Sequence, residues 1–399
     1  MLTSVIVLSH RPGEWLGPCL ASVSSQADEI IVVDNASPGG EAAEVARKAG
    51  AEVVSSPTNV GFAGGVNLGA RRARGSHLAL LNDDATAAPG WLASAVAILA
   101  DRQVAAVTPK VRLSGWWQEV VLDDDEWFAP GDARPLGRQL QSVTAAGAEV
   151  LPGLVGAGVH RMEEAPGDPA RRWRWSAGRR PFYVPVPESD GEVRINGAPA
   201  PPGPRCRLIN NAGSILRLDA YLGDYGLETP DDGRFDKPGE RFAASGTALV
   251  TRAATFARLG GLAEPFFAYY EDSDWSWRAR LAGLRLCYDP SSVVEHRRSA
   301  TSGGVADPWV HLLAERNRLL SAVRNAPASV ATRLVAQRLR EGPQHGIRRA
   351  MLRRLPWALA SRTALSRHWV LRPEEVWQRW AGADVTWDQE PLRSPSPGD

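Results

Sequence analysis

Two acidic clusters carry residue types that chemistry at a phosphate or a hydroxyl would need. The first, Asn82-Asp83-Asp84, ends the short apolar run 78–81, and Pro89 and Trp91 then open a helix-like segment. A run of that length reads as a buried strand, so these acids stand at its carboxyl end. Ligands of open parallel α/β sheets bind beyond the carboxyl ends of strands, where carboxylates can hold a cation against an anionic ligand. The competing reading is structural, because an Asp after a strand also caps the next helix or turns the chain. The second cluster, Glu271-Asp272-Ser273-Asp274, follows the aromatic run 266–270. It begins a segment with Trp275, Ala279 and Ala282 at helical spacing and Gly283 as a stop. Capping and the helix dipole explain one or two acids there. The aromatic approach adds an apolar wall, and a carboxylate at its edge suits a general base shielded from water yet open to a hydroxyl.

Other candidates are weaker alone. Asp34 ends the apolar run 29–33, where an acid can accept from a ribose hydroxyl or a base N–H, or can simply form an Asx-turn. The glycine-rich segment 59–69 precedes arginines on a helix, and its backbone N–H groups could approach a phosphate or a base. It is neither a Walker A motif nor a GxGxxG directly after the first strand. Gly246 would let backbone come close to a ligand. His296 follows the short apolar stretch 293–294 and is structural unless other metal ligands converge on it.

The elements that must position these residues alternate. Strands are expected at 4–8, 29–33, 52–55 and 78–81, with helices at 15–23 and 41–49, which implies a parallel sheet with right-handed crossovers and a nucleotide-binding type of α/β domain. From 111 to 204 the pattern blurs into an insertion of extended segments rather than an independent domain. It holds the acids 123–126, paired tryptophans (Trp116 with Trp117, Trp173 with Trp175) and a candidate hairpin of 183–186 with 192–195. Its aromatics would suit stacking on sugar rings, although Trp is usually just buried. Further strands are expected at 285–288 and 293–296, and helices at 253–259 and 310–326.

Composition narrows the classes. Among 399 residues, 44% are hydrophobic and 23% charged, with a formal net charge of +1, which argues against nucleic acid as the main partner. Three cysteines far apart in sequence give neither a disulfide framework nor a zinc pattern, which suggests a reducing cytoplasm. No signal peptide and no spanning segment is recognised, so a cytoplasmic chain, soluble or peripheral on the inner face of the cell membrane, is expected.

In order along the chain, 31–37 (IVVDNAS), Asn59-x-Gly61-Phe62, Leu81-Asn82-Asp83-Asp84, Gly246, Phe266-Phe267-x-Tyr269-x-Glu271-Asp272-x-Asp274 with Arg278 and Gly283, and Val294-x-His296 resemble the inverting family 2 glycosyltransferases of the GT-A fold. The likeness is to the bacterial rhamnosyltransferase- and galactofuranosyltransferase-like branch. The resemblance implies an α/β GT-A domain over 1–307, with a nucleotide-binding half (1–110), the insertion (111–204) and an acceptor or catalytic half (205–307). A basic helical region (308–390) and a disordered tail (391–399) follow. It further implies nucleotide contacts from Ser9, Arg11, Asp34, Asn35, Asn59, Gly61, Phe62, Asn67, Asn82 and Asp83. Asp84 and His296 would hold Mg²⁺ or Mn²⁺, Asp272 would be the catalytic base, and Gly246, Glu271, Asp274 and Trp275 would face the acceptor. Asn82 departs from the family's acidic DxD pattern. The donor would be a dTDP- or UDP-linked sugar, rhamnose- or galactofuranose-like, and the acceptor a hydroxyl of a glycan, a lipid-linked glycan or a natural product.

Two further readings compete with this one. A sugar-1-phosphate nucleotidyltransferase would carry a basic, glycine-rich stretch after the first strand, which residues 9–13 do not supply. An inactive binding module would have lost acids, whereas Asp84 and Asp272 are both present. Beyond residue 308 arginine recurs and Glu341 is the only acid from 316 to 372. Such helices either dock on an anionic membrane or pack beside the domain with arginines facing water.

Overall fold

The computed structural model describes residues 2–165, 167–189, 191–297, 307–342 and 346–382. The tail expected at 391–399 lies outside them. The described chain divides into two compact units, the first comprising Met1–Arg112, Asn210–Gly226 and the described residues from Arg234 on, the second Leu113–Ile209 and Leu227–Gly233.

The first unit is built on strands β1 (Thr3–Ser9), β2 (Glu29–Asn35), β3 (Glu52–Ser56), β4 (His77–Asn82), β5 (Ala85–Ala87) and β6 (Val104–Leu113). In sheet order β3, β2, β1 and β4 run parallel, followed by Ala248–Arg252, antiparallel to β4, then β6 and Arg285–His296. The last is one strand where two short ones were expected, and its end pairs with β5.

Strands buried on both faces read as unbroken apolar runs, because alternate residues enter different cores. Val5 and Val7 of β1, Val32 of β2, and Ala79 and Leu81 of β4 join one cluster. Helices α1 (Leu16–Val23), α2 (Glu41–Lys48) and α4 (Trp91–Ile98) contribute to that cluster. Ile6, Ile31, Val33, Leu78 and Leu80 join another, with α3 (Gly61–Arg72), α5 (Ala253–Arg258) and α6 (Glu271–Leu281). The parallel register sets Ser9 opposite Asp34 and Leu8 opposite Asn82, so the carboxyl ends of β1, β2 and β4 are level.

The glycine-rich segment is a helix, not a loop, and most of its glycines serve packing. A Cβ on Gly65 would lie 2.2 Å from Leu8 Cδ1, and one on Gly69 would lie 2.5 Å from Ile6 Cγ2. Only without those carbons can α3 lie this close to β1.

A third apolar cluster joins α6 to the C-terminal helices α7 (Pro308–Asn325), α8 (Ala328–Arg340), α9 (Ile347–Leu365) and α10 (Pro373–Trp380). Several arginines here do not face water. Arg316, Arg324 and Arg338 are buried, and Arg362 donates to the carbonyls of Val323 and Ala326 at 2.9 and 2.7 Å. At the contact of α6 with α7, Asp274 is fully buried. Its carboxylate accepts from Arg278 Nε (2.9 Å), Arg324 Nε (2.7 Å) and Nη2 (3.1 Å), and Asn325 Nδ2 (2.8 Å).

The second unit has an apolar core of its own, including Val120, Leu140, Val143, Phe182, Val184, Val193 and Ile195, where extended segments laid on the first domain were expected. The expected hairpin does not form. Phe182–Val186 pairs with Trp116–Val120, while Val193–Ile195 pairs with Val143–Ala145 and Ala198–Pro199. The reason is local: Asn196 and Gly197, at φ 49° and 83°, turn the chain back at once, as Asn-Gly does in two-residue hairpins. Of the paired tryptophans, Trp117 is buried, and Trp173 and Trp175 are half-buried with both indole N–H groups on Glu163. Among the described residues of this unit the exposed aromatics are Trp127 and Phe128.

Removing the Asp274 carboxylate would leave two buried guanidiniums facing one another. We expect Asp274→Ala to lower unfolding stability by about 3–5 kcal/mol in urea titrations, and an unchanged midpoint would refute the role given to this cluster.

Candidate active site

The level strand ends bring the donor-side candidates together. Ser9 and Asp34 are buried side by side, and Arg11 is exposed just beyond β1. Asp34 Oδ1 accepts from Ser37 N at 2.8 Å, so the Asx-turn is real, and a carboxylate still has a second oxygen to offer. Asn35 is an internal strut: its side chain donates to Asn59 Oδ1 (2.9 Å) and accepts from Val60 N (2.9 Å). Asn59 Oδ1 also accepts from Gly61 N (2.9 Å), which shapes the start of α3, where Phe62 is half-buried. Asn67 does not face a pocket. It is buried and bridges to Leu262, accepting from its N–H and donating to its carbonyl, both at 2.9 Å.

Gly61 opens α3 at φ 74°, and a Cβ there would sit 2.3 Å from the carbonyl oxygen of Phe267. That same oxygen accepts from Ala63 N at 3.1 Å, so the helix start rests directly on the turn that leads to the second acidic cluster.

The first acidic cluster meets His296. Asp84 and Asp83 are buried, and Asp84 Oδ1 lies 3.1 Å from His296 Nε2. His296 Nδ1 is 2.7 Å from Asn210 Oδ1, so the amide as oriented takes a proton from Nδ1. Nε2 and the Asp84 carboxylate therefore face one another closely enough for both to reach one cation. Burial, with the Asp84 charge adding to it, pushes the Asp83 carboxyl up to about 7 despite the Ser9 hydroxyl beside it. Asn82, half-buried, holds the strand end through its own N–H to the Thr247 carbonyl (2.9 Å).

That bond leads to the second cluster. Gly246, next to Thr247, donates its N–H to Asp272 Oδ2 at 2.6 Å, while Ser273 donates N–H (2.6 Å) and Oγ–H (3.1 Å) to Oδ1. Gly246 therefore makes its close approach to Asp272. The Asp272 side chain is half-buried, and burial raises its carboxyl above the ordinary range although these donors pull it down. Glu271 is buried, with Oε2 unpartnered among the described residues. Burial first, and the Asp272 charge second, push it well up. Two expected acceptor contacts are internal instead. Burial alone would raise Asp274, but Arg324 and Arg278 outweigh it and hold it below the usual range, and Trp275 is 1% exposed in the core beside Phe256.

The residues that sequence reasoning missed lie on α7 and beside His296. Phe267, Tyr269 and Tyr270 take φ of 68°, 68° and 70°, uncommon for bulky residues. Asn317 Nδ2 lies within reach of the carbonyls of Phe266 (3.0 Å), Ala268 (2.8 Å) and Tyr269 (2.7 Å), and Arg316 Nη2 reaches Phe266 O at 2.7 Å. The available signal was the Arg-Asn pair repeated eight residues apart, at Arg316-Asn317 and Arg324-Asn325 on one helix face. Asn210, the His296 partner, had no comparable signal.

Among the described residues no group of three or more His, Cys, Asp or Glu side chains closes around a metal position. Two donors, Asp84 and His296, nonetheless suit a divalent cation whose remaining positions are filled by phosphate oxygens and water, as Mg²⁺ sites commonly are.

Residues 4–118 match the family described as Glycosyl transferase family 2. They form a family 2 glycosyl transferase domain. Over 155 residues, 37% of the chain, the sequence is 29% identical to N-acetylglucosaminyl-diphospho-decaprenol L-rhamnosyltransferase of Mycobacterium tuberculosis, in strains CDC 1551 / Oshkosh and ATCC 25618 / H37Rv. The aligned part spans 45% of the length of these relatives. The solved structure of GalNAc-T7 with UDP, GalNAc and Mn2+ superposes on 93% of the chain and 58% of its own, at TM-score 0.50 and 14% identity. That likeness is one of fold, and the fold is the GT-A type expected from the sequence, with helices following it. The family 2 domain takes in Ser9, Asp34, the start of α3, Asp83 and Asp84, while Asp272 and His296 lie beyond it.

The Asp83 carboxyl gives a pH test. Moved from 3.8 to about 7, it binds a proton in the folded but not the unfolded chain between those values, so its penalty builds up as pH rises from about 4 to about 7 and is constant above. The full cost is on the order of 4 kcal/mol. In metal-free buffer Asp83→Asn should raise the thermal midpoint at pH 8 and hardly at pH 4. An equal shift at both would contradict this origin.

Proposed function

We propose that the protein is an inverting glycosyltransferase, moving a sugar from a nucleoside-diphosphate donor to an acceptor hydroxyl with Asp272 as general base. The observation that carries this reading is the short path from the Asn82-Asp83-Asp84 strand end, through Thr247 and Gly246, to a half-buried carboxylate. It sets a candidate cation site and a candidate base on one sheet edge. The family 2 domain supports the donor half of the assignment.

In this reading residues 1–110 hold the nucleotide. Asp34 takes a ribose or base hydrogen bond, with Ser9, Arg11, Asn59, Gly61 and Phe62 around it, and Asn35 orders that wall from within. Asp83, Asp84, Asn82 and His296 surround the diphosphate. Mg²⁺ or Mn²⁺ held by Asp84 and His296 would neutralise the charge of the departing diphosphate. Residues 205–307 present the acceptor, with Glu271 and Gly246 beside the base. Asp272 takes the hydroxyl proton while the oxygen attacks the anomeric carbon opposite the leaving group, so one displacement inverts the centre. Gly246 and Ser273 fix the carboxylate so that its proton-accepting lone pairs point one way. The donor sugar in this reading is rhamnose- or galactofuranose-like and dTDP- or UDP-linked; the rhamnosyltransferase relative, by its name, favours rhamnose and a lipid-diphosphate-linked acceptor.

The deciding measurement is calorimetric binding of UDP and dTDP, each with and without Mn²⁺, to wild type and to Asp84→Ala. We expect one nucleotide to bind, more tightly with Mn²⁺, and Asp84→Ala to abolish the metal effect. Binding of neither nucleotide under any condition would overturn the reading. With the donor so identified, Asp272→Asn should lower kcat by about 10²–10⁴ with nucleotide affinity unchanged, and the wild-type rate should fall on acidification as Asp272 takes up its proton. Proton NMR of fresh product showing retained configuration would exclude the single-displacement mechanism.

A further inference from the structure

We propose that the outward face of α9 lies on an anionic bilayer surface. The proposal goes beyond the transferase reading and does not depend on it.

The inward side of α9 is accounted for by the fold. Ile347, Met351 and Ala358 are buried, and the last two belong to the cluster shared with α6 and α7. At about 100° per residue, the opposite side carries Arg348, Arg349, Leu352, Arg353, Pro356 and Leu359, and all six are exposed. Leu352 and Leu359, two turns apart, are 43% and 52% exposed. With Pro356 between them they form an apolar ridge. Arg348 flanks it on one side, Arg349 and Arg353 on the other.

Neither part of this face serves the folded chain. The leucines keep much of their surface in water on a helix already docked by its other side. None of Arg348, Arg349 and Arg353 makes an ion pair among the described residues. From residue 342 to 373 there is no Asp or Glu, so nothing within the segment neutralises them. An apolar ridge between cations fits a surface that is apolar below and negatively charged above. Leucines entering the acyl boundary and arginines at the lipid phosphates meet both demands at once. A nucleic acid would engage the arginines and leave the leucines in water. No helix among the described residues is long and apolar enough to cross a membrane, so the contact is one of lying on the surface.

The test is sedimentation of the full chain with vesicles of phosphatidylcholine, with and without phosphatidylglycerol. We expect binding only to the phosphatidylglycerol vesicles, weakened by salt. Replacing Arg348, Arg349 and Arg353 together by Gln should reduce affinity roughly a hundredfold, at about fivefold per arginine. The double variant Leu352→Gln with Leu359→Gln should reduce it at least about tenfold. Both variants should keep the wild-type thermal midpoint, since every replaced side chain is exposed. Failure to bind, equal binding to both vesicle types, or binding unaffected by either variant would overturn the proposal. A dimer abolished by the leucine variant would assign the face to a second copy instead, and RNA binding that vesicles do not displace would assign it to nucleic acid. Either result would also overturn the proposal.

Discussion

A carboxylate cannot be taken fully out of water without partners that replace its hydration, and Asp274 has four hydrogen bonds from three side chains. Two of those side chains, Arg324 and Asn325, stand on α7, fifty residues further along the chain. The helix that bears Asp272 is thus held by the C-terminal region. Arg278 extends the link, because it also donates to the Leu259 carbonyl and, at 2.8 Å, to that of Gly261, at the end of α5. Such a cluster adds little net stability over an apolar contact of the same volume, but it is specific. Only one placement of α7 against α6 satisfies the carboxylate and both guanidiniums.

That placement sets the turn before α6. Three bulky residues with positive φ cost on the order of 1–2 kcal/mol each, and Asn317 and Arg316 offset this by hydrogen bonding to the carbonyls of the turn. The turn in exchange presents the Phe267 carbonyl to Ala63 at the start of α3 and delivers Asp272 to Gly246. One tight turn therefore links the wall assigned to the nucleotide with the group assigned to proton transfer. Rigid support from outside the site is what a displacement reaction asks for, since small errors in the angle of attack are costly.

The sheet was legible because β1, β2 and β4 are buried on both faces and so read as unbroken apolar runs. The acids followed from it, since they occur where those runs stop. The glycines of 61–69 were misleading, as close helix–strand packing and close ligand approach ask for the same residue. Asp274 and Trp275 were indistinguishable in sequence from their neighbours Glu271 and Asp272. Which acid of a helix's first turn faces the cleft depends on a partner helix some fifty residues away, and no local pattern encodes that. The hairpin failed for a different reason. Its turn, Asn196-Gly197, was present in the sequence, one element further along than the pairing chosen.

The departure from a fully acidic strand end has an electrostatic logic. Asp83 already sits at about 7 because it is buried beside Asp84, and a carboxylate in place of Asn82 would add a further like charge. An amide there keeps a polar group beside the strand end without that repulsion. In the proposed enzyme this leaves a cation with two protein ligands, Asp84 and His296, and the substrate diphosphate to complete its shell. A site so built would hold metal weakly alone and tightly with nucleotide, because each supplies charge that the other lacks. The coupling then protects the chemistry: the leaving group is neutralised only when a donor is bound, and Asp272, on the far side of Gly246, meets an activated anomeric carbon only in that state.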